Sequence, residues 1–351
     1  IRLSLVGSEM CIRDSCYPAP AAVRIIGHFV SKKRVMQLVR GLHNLRPQHR
    51  GCVATIGNFD GVHRGHQAIL ARLRERAAEL GVPSCVVLFE PQPREYFDPE
   101  GAPARLSRLR DKLALLAAEG VDRVLCLTFN PRLRELSAAE FVQRALIDGL
   151  GVLHLEVGDD FRFGCDRAGD FAFLAEAAQR EGFSVEAAKT VEIDGQRVSS
   201  TRVRAALASG DFAGAERMLG RPFRIVGRVL HGQKLGRQLN APTANVQLKR
   251  KRVPLIGVYL VSVEIDGQPW PGVANIGVRP SVAGDGSAHL EVHLLDFAGD
   301  LYGRRLTVAF HHKLRDEQRF ASLEALKTAI AADIAAARDH WQRQPLMKSP
   351  T

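Results

Sequence analysis

The sequence lacks the marks of three protein classes. None of its apolar runs is long enough to span a bilayer, so no membrane partner is expected. Its six cysteines are scattered without a CxxC pair, which favours a reduced, cytoplasmic setting. Residues 1–50 hold nine Lys and Arg against two acidic residues and contribute +7 of the formal charge of +11. The remaining chain is only mildly basic, whereas nucleic-acid binding needs a clustered basic face. We therefore expect no nucleic-acid partner, and small anions such as nucleotides as ligands.

The first 35 residues differ from the rest of the chain. Residues 1–16 show no helical or strand period and lack the apolar core of a secretory signal. Residues 4–15, SLVGSEMCIRDS, resemble translated sequencing-adapter sequence. We expect residues 1–35 to be a non-native or disordered leader, with the native start at Met36, and residues 346–351 to be a tail. A basic transit peptide is the alternative, but no amphipathic pattern supports it.

Residues 57–66, GNFDGVHRGH, organise the chain, and we call them the HxGH turn. They lie between an apolar run and a segment with helical periodicity, which predicts a strand-to-helix turn. Its three glycines permit close approach of a ligand, and the helix N-terminus suits phosphate. His63 and His66 can share one face of the first turn and donate to phosphate oxygens. A plain turn with surface histidines is the alternative, and a zinc site lacks a third ligand nearby.

Strands alternate with helices through residues 36–222. This pattern predicts a Rossmann-like parallel sheet with helices on both faces, including a helix over 107–119 capped by Ser107. The predicted strands are at residues 52–56, 84–89, 123–129 and 152–157. Ligands of such sheets bind beyond the carboxyl ends of the strands, where the HxGH turn lies.

Two further segments bring polar groups to this edge. The loop at residues 158–164, GDDFRFG, carries aromatic rings that could pack on a flat ligand or simply anchor the loop. Residues 199–204, SSTRVR, follow a hairpin with an Asp-Gly turn. Ser200 or Thr201 is expected to cap a helix there. A hydroxyl-rich helix start with two arginines suits phosphate, and plain capping is the alternative.

Residues 223–345 change to short strands with one final helix, which predicts an all-β barrel with a terminal helix. The strands are expected at 223–230, 257–265, 272–278, 288–297 and 305–312, and the helix at 322–338. Thr243 and Asn245 point the same way in an extended segment and can offer oxygens to Mg²⁺. Glu291 shares a strand face with His293 and can accept a hydroxyl proton. On chemistry alone, a polar turn and an outward-facing glutamate would be favoured.

Six segments in order resemble the motifs of bacterial bifunctional riboflavin kinase/FMN adenylyltransferases, also called FAD synthetases. They are GNFDGVHRGH, GDDFRFG, VSSTRVR, GRQLNAPTAN, NIGVRPS and LEVHLLDF, and the resemblance covers residues 36–338. The chain departs from the family pattern at Asn240, Ala241 and Ser281. The resemblance implies that residues 223–345 phosphorylate riboflavin to FMN with ATP. It implies that residues 36–222 adenylylate FMN to FAD and release pyrophosphate.

The resemblance also implies residue roles, with ATP and Mg²⁺ required and FMN and FAD as products. Catalytic roles fall to Glu291 as the base and to His63, His66 and Arg202. The implied ATP-binding residues are Gly57, Asn58, Phe59, Asp60, His63, His66, Ser200, Thr201, Arg202, Gly232, Thr243 and Asn245. Flavin contacts are implied for Asp160, Phe161 and Arg319, and Mg²⁺ ligation for Thr243 and Asn245. The alternatives are that only one domain is active, or that the chain is a non-enzymatic flavin- or nucleic-acid-binding regulator.

Overall fold

The computed structural model describes residues 35–231, 241–250, 252–279 and 287–346. Gly232, nearly all of the expected leader and most of the expected tail lie outside these residues. Among the described residues, no helix combines the length and the apolar composition needed to cross a membrane.

Six parallel strands form one sheet in the spatial order β1-β4-β3-β2-β5-β6. They are β1 (Gln37–Arg40), β2 (Cys52–Ile56), β3 (Ser84–Glu90), β4 (Arg123–Thr128), β5 (Val152–Val157) and β6 (Ser184–Ala187). The four predicted strands are confirmed to within a residue. The two edge strands were not predicted, because β1 buries one side chain and β6 buries none. Apolar periodicity cannot detect strands of this kind.

Helices cover both faces of the sheet, as expected. They are α1 (Arg64–Leu80), α2 (Pro93–Phe97), α3 (Leu109–Ala118), α4 (Pro131–Arg134), α5 (Ala138–Phe141), α6 (Phe171–Glu181), α7 (Ser200–Ser209) and α8 (Phe212–Leu219). A π-helical segment, Val142–Leu150, continues α5. The central strands bury alternate side chains in two separate cores, one under α1 and α3 and one under α5 and α6. Burial on both faces is why these strands have continuous apolar runs.

Two predicted helix caps are wrong. Helix α3 begins at Leu109, and Ser107 instead uses its hydroxyl to accept the Gly61 N–H at 2.9 Å. Helix α7 is capped by Ser199, which accepts the Arg202 N–H at 3.3 Å, rather than by Ser200 or Thr201. In both places a tertiary contact engages the hydroxyl that was expected to cap the helix: Ser107 bonds Gly61 and Asp60, and Ser200 donates to the Asp60 main-chain oxygen.

The C-terminal part is a closed antiparallel barrel with the order β10-β13-β12-β11-β14-β9. After a two-stranded hairpin, β7 (Glu192–Ile193) and β8 (Gln196–Arg197), come β9 (Phe223–Leu230), β10 (Ala244–Gln247), β11 (Gly257–Ile265), β12 (Gln268–Arg279), β13 (Ser287–Leu294) and β14 (Arg305–Arg315). Helix α9 (Leu323–Arg343) begins after its cap, Ser322. The five predicted barrel strands are confirmed, and β10 is an additional strand that closes the barrel between β9 and β13.

The barrel core continues into the helices that precede it. Buried side chains of α7 and α8, such as Val203, Leu207 and Met218, belong to the same apolar cluster as the barrel interior. Arg221, which joins α8 to β9, donates to the carbonyl oxygens of Gly61 and Val62 at 2.6 and 3.2 Å. The connection between sheet and barrel is therefore also a support of the HxGH turn.

Candidate functional sites

The backbone of the HxGH turn is tightly folded. Gly61 has a φ of 82°, and the non-glycine residues Phe59 and Val62 also have positive φ, at 46° and 41°. Buried Phe59 and Val62 side chains fix this conformation by packing into the core under α1. Gly65 serves close packing instead, because a Cβ there would lie 3.2 Å from the His63 ring.

The two histidines of this turn lie against each other. The His63 and His66 rings are stacked with centroids 3.7 Å apart, and His63 caps α1 by accepting the His66 N–H at its Nδ1 (3.4 Å). An accepting Nδ1 carries no proton, so neutral His63 has its hydrogen on Nε2. Burial lowers the pKa of His63 to about 4, and burial together with the His63 ring lowers the pKa of His66. The site therefore offers two neutral imidazoles at neutral pH.

Asp60 holds the turn in place from inside the protein. Its buried carboxylate accepts the Leu106 and Ser107 N–H groups at 3.0 and 2.9 Å and pairs with Arg204 at 2.5 Å. The Ser200 hydroxyl donates to the Asp60 main-chain oxygen at 2.9 Å. Both ends of Asp60 are thus bound to protein groups, and these contacts join the HxGH turn to the start of α7.

The hairpin before α7, rather than α7 itself, brings an arginine to the site. The Arg202 guanidinium donates to the Gln196 and Arg197 carbonyl oxygens of the hairpin at 2.7 and 3.0 Å, while Thr201 is exposed. Arg197 instead reaches the cavity described next, and its guanidinium lies 3.5 Å from the Asp160 carboxylate. Arg197 was not predicted, because it belongs to an exposed hairpin with no motif of its own.

A cavity of about 400 Å³ opens beside the HxGH turn, and we call it the sheet cavity. It brings together the carboxyl end of β2, the start of α7 and the 158–164 loop. Its lining includes His63, His66, Gly57, Phe59, Asp160, Phe161, Arg197 and Ser199, whereas Asn58 is exposed and outside it. Phe163 anchors the loop in the core, and Phe161 stacks on it at 5.5 Å. Phe161 also lines the sheet cavity, whereas Phe163 does not.

A second cavity of about 360 Å³ lies between the outer face of the barrel and α9, and we call it the barrel cavity. Glu291 lines it from β13, with Thr243 and His293 beside it. In the sheet register, Glu291 is the direct partner of Asn245 on β10 and of Asn275 on β12. Directly opposed residues place their side chains on one face. The carboxylate is therefore flanked by two side-chain amides, and Asn275 is a site residue that was not predicted.

The far wall of the barrel cavity is formed by the segment before α9. Arg315 donates to both Asp333 oxygens, at 2.8 to 3.2 Å, which ties the end of β14 to α9. Phe320 and Arg315 line the cavity, whereas Arg319 is exposed and does not. No group of three or more His, Cys, Asp or Glu that could hold a metal occurs among the described residues. Hydroxyl and amide oxygens from Thr243 and Asn245 still suit Mg²⁺, which takes few protein ligands and shares phosphate oxygens.

The chain matches known families in both parts. A family model described as FAD synthetase matches residues 45–202, and one described as riboflavin kinase matches residues 219–341. A bifunctional riboflavin kinase/FMN adenylyltransferase of Pseudomonas fluorescens is 80% identical over 303 residues, 86% of this chain and 97% of the relative. The Escherichia coli K12 protein of the same name is 53% identical over 308 residues, 87% and 98% of the two chains.

A solved structure from Streptococcus pneumoniae, described as a macrolide-efflux protein, has the same fold. It superposes with a TM-score of 0.73 at 28% identity and covers 87% of this chain and 99% of its own. The order of sheet and barrel, the two family models and the similarity to full-length relatives agree. The chain belongs to the bifunctional riboflavin kinase/FMN adenylyltransferase family.

Proposed function

We propose that this chain makes FAD from riboflavin in two ATP-dependent steps, one in each cavity. The observation that carries this proposal is the presence of two separate cavities with different chemical groups. One offers two neutral imidazoles at a helix start, and the other offers a carboxylate between two amides. The first cavity suits transfer of an adenylyl group to a phosphate, and the second suits phosphorylation of a hydroxyl.

In the barrel cavity, Glu291 is the base of the kinase step. A ribityl hydroxyl of riboflavin attacks the γ-phosphorus of ATP, its proton passes to Glu291, and ADP leaves. Thr243 and Asn245 would hold Mg²⁺, which neutralises charge on the phosphates. Asn245 and Asn275, on either side of Glu291, orient the carboxylate or the substrate. Arg319 is exposed, and its segment would have to move for it to contact the flavin, whereas Phe320 already lines the cavity.

In the sheet cavity, the FMN phosphate attacks the α-phosphorus of a second ATP, and pyrophosphate leaves. The attacking phosphate is already ionised, so the step needs positioning and charge stabilisation rather than a base. The Nε2–H of His63 and the ring of His66 donate to the phosphate oxygens. Asp160 and Phe161 contact the flavin, and Arg197 is a nearer cation for the phosphates than Arg202.

ATP, riboflavin and FMN are then the partners, with no nucleic acid and no membrane, and the setting is the cytoplasm. A reducing compartment fits the four cysteines of the described residues, which are all free thiols. A chain with a single active domain would need one cavity to lack its chemical groups, and both cavities have them.

A chromatographic time course on the full chain with riboflavin, ATP and Mg²⁺ tests the proposal. We expect FMN to appear first and FAD to follow. FMN alone would refute the adenylylation step, and conversion of added FMN without conversion of riboflavin would refute the kinase step. A folded protein that converts neither flavin would refute the enzyme and favour a binding module.

A further inference from the structure

A third concave region lies between the sheet and the barrel, and we call it the sheet–barrel cleft. Its volume is about 1430 Å³, and it shares no lining residue with either of the other cavities. One wall comes from the 90–110 region up to the first turn of α3, and the other comes from β9, the segment after β10, and β14. Most of its charged side chains are basic.

The acidic groups of the cleft are already paired. Arg105 binds both Glu90 and Glu95, and Arg252 lies 3.7 Å from Glu100. Four cations of the lining have no carboxylate partner among the described residues: Arg110, Arg228, Lys249 and Arg305. The cleft therefore has a surplus of positive charge that the described part of the protein does not neutralise.

The arrangement of these cations is unfavourable without a ligand. Arg228 on β9 and Arg305 on β14 are direct partners in the antiparallel register, where like charges destabilise a sheet. Burial and the neighbouring Arg108 lower the pKa of Arg250 to about 10, and its buried Nε has no hydrogen-bond partner. Repulsion between fixed cations is relieved by a bound anion.

Hydrogen bonds from arginine side chains to main-chain oxygens connect the two walls of the cleft. Arg108 donates to the Leu248 carbonyl oxygen at 3.0 Å and to that of Val226 at 2.5 Å, and Arg250 donates to the Arg105 carbonyl oxygen at 3.1 Å. These bonds connect the start of α3 and the segment before it to the barrel. A site that is fixed before binding loses less entropy when a ligand arrives.

We propose that the sheet–barrel cleft is a third ligand site, which binds a polyphosphate chain. A single phosphate carries about two negative charges at neutral pH, too few for the unpaired cations of the cleft. A di- or triphosphate matches them better, and arginines bind phosphate oxygens through paired N–H groups. Inorganic pyrophosphate and the phosphate chain of a nucleotide share this chemistry. The site is separate from the two proposed reactions and does not depend on them.

Calorimetric titration of the full chain with inorganic pyrophosphate and, separately, with ATP tests this proposal. The test variant is Arg228→Gln/Arg305→Gln, which removes the charges of the two opposed arginines; both positions are exposed. The control is Arg132→Gln/Arg180→Gln, which removes the same charge from exposed positions outside the cleft. We expect the test variant to lose one pyrophosphate-binding event or to bind it about ten- to a hundred-fold more weakly. The control should bind like the wild-type chain.

Thermal unfolding without ligand gives a second measurement. If the arginine pair awaits an anion, the test variant should unfold at the same or a higher temperature in phosphate-free buffer, because repulsion has been removed. When pyrophosphate is added, its unfolding temperature should rise less than that of the wild-type chain. Identical isotherms for the test and control variants would overturn the proposal. The proposal would also be overturned if ATP bound but pyrophosphate did not. A rise of the kinase KM for ATP in the test variant, parallel to its loss of binding, would overturn it too, because the cleft would then belong to the nucleotide of the kinase step.

Discussion

The sheet cavity and the barrel cavity differ in the charges of the groups that surround the reacting atoms. The sheet cavity has two stacked neutral histidines, and the Asp60 carboxylate beneath them is enclosed by N–H groups and Arg204. In the barrel cavity, the Glu291 carboxylate lies at the cavity wall between two asparagines. Asp60 is part of the scaffold and is not in the cavity lining, whereas Glu291 lines the barrel cavity; the carboxylate that does line the sheet cavity, Asp160, lies 3.5 Å from the Arg197 guanidinium.

This difference follows from what each nucleophile needs. A riboflavin hydroxyl must lose a proton, so a carboxylate at the cavity wall is useful. An FMN phosphate is itself an anion, and an unpaired carboxylate beside it would repel it; the Asp160 carboxylate of this cavity is paired with Arg197 at 3.5 Å. Neutral imidazoles in that position donate hydrogen bonds without placing a negative charge near the phosphates. On the proposed mechanism, the position of a carboxylate, rather than its presence in a motif, decides its function.

The largest effect is expected from Glu291→Gln, which removes the proposed base and keeps the shape of the side chain. Riboflavin phosphorylation should fall by about 10²- to 10⁴-fold, because a positioned general base contributes about that much. Conversion of added FMN to FAD should change less than about two-fold, since the sheet cavity is untouched. Initial rates of both reactions, measured by chromatography on one preparation, check this.

Glu264→Gln is the matched control for that substitution. Glu264 is an exposed glutamate on β11, outside the barrel cavity, so both rates should stay at the wild-type level. If the kinase rate of Glu291→Gln stayed at the wild-type level, Glu291 would not be a reactive carboxylate, and its distinction from the scaffold carboxylate Asp60 would be lost.

The next effect concerns the scaffold carboxylate. Asp60→Asn leaves the partly buried Arg204 without its charge partner, and breaking such a pair costs about 3–5 kcal/mol of unfolding free energy. Asp194→Asn is the matched control, because its Arg217 pair at 3.3 Å is exposed and worth less than about 1 kcal/mol. Urea unfolding of the three proteins gives the difference. An equal loss of unfolding free energy in both variants would mean that Asp60 does not stabilise the HxGH turn.

Much of the fold could be predicted from periodicity and turn chemistry. The four inner strands carry long apolar runs because they are buried on both faces, and β9 alternates because only one of its faces is in the core. The edge strands β1 and β6 gave no such signal. Strand β10 is four residues long, and its role in closing the barrel depends on pairing with β9 and β13, which lie far apart in the sequence.

The site residues divide in the same way. The histidines were predictable because their spacing and the glycines act locally, within one turn of helix. Asn275 begins the NIGVRPS motif and Arg197 lies in the predicted hairpin, but neither received a site role, because strand register and the direction of the hairpin side chain decide which cavity they reach. Arg202 shows the reverse case, since a strong motif places it near the site and its guanidinium bonds the hairpin carbonyls. The direction in which a long side chain points is a property of its neighbours.

The smallest effect expected is on the pH dependence of stability, to which one histidine in each region contributes. Burial lowers the pKa of His63, and likewise that of His311 on β14, to about 4, whereas an unfolded histidine titrates near 6.5. Between these values the unfolded chain binds protons that the folded chain does not. Stability from each group is therefore complete above pH 6.5 and is lost as the pH falls toward 4.

His63→Asn keeps a side-chain oxygen that can cap α1 and removes the titrating group. We expect the slope of unfolding free energy against pH, between 6.5 and 4.5, to decrease by about 1.4 kcal/mol per pH unit at most. His311→Asn should decrease it by a similar amount, and the two changes should add, because the residues are in separate regions. Added pyrophosphate sharpens the comparison, since an anion beside His63 favours its protonated form and should reduce the slope more in the chain that keeps His63 than in the His63→Asn chain. If pyrophosphate acts equally on the His63→Asn chain, the stacked histidines do not contact the phosphates, and adenylyl transfer would have to depend on Arg197 and the start of α7.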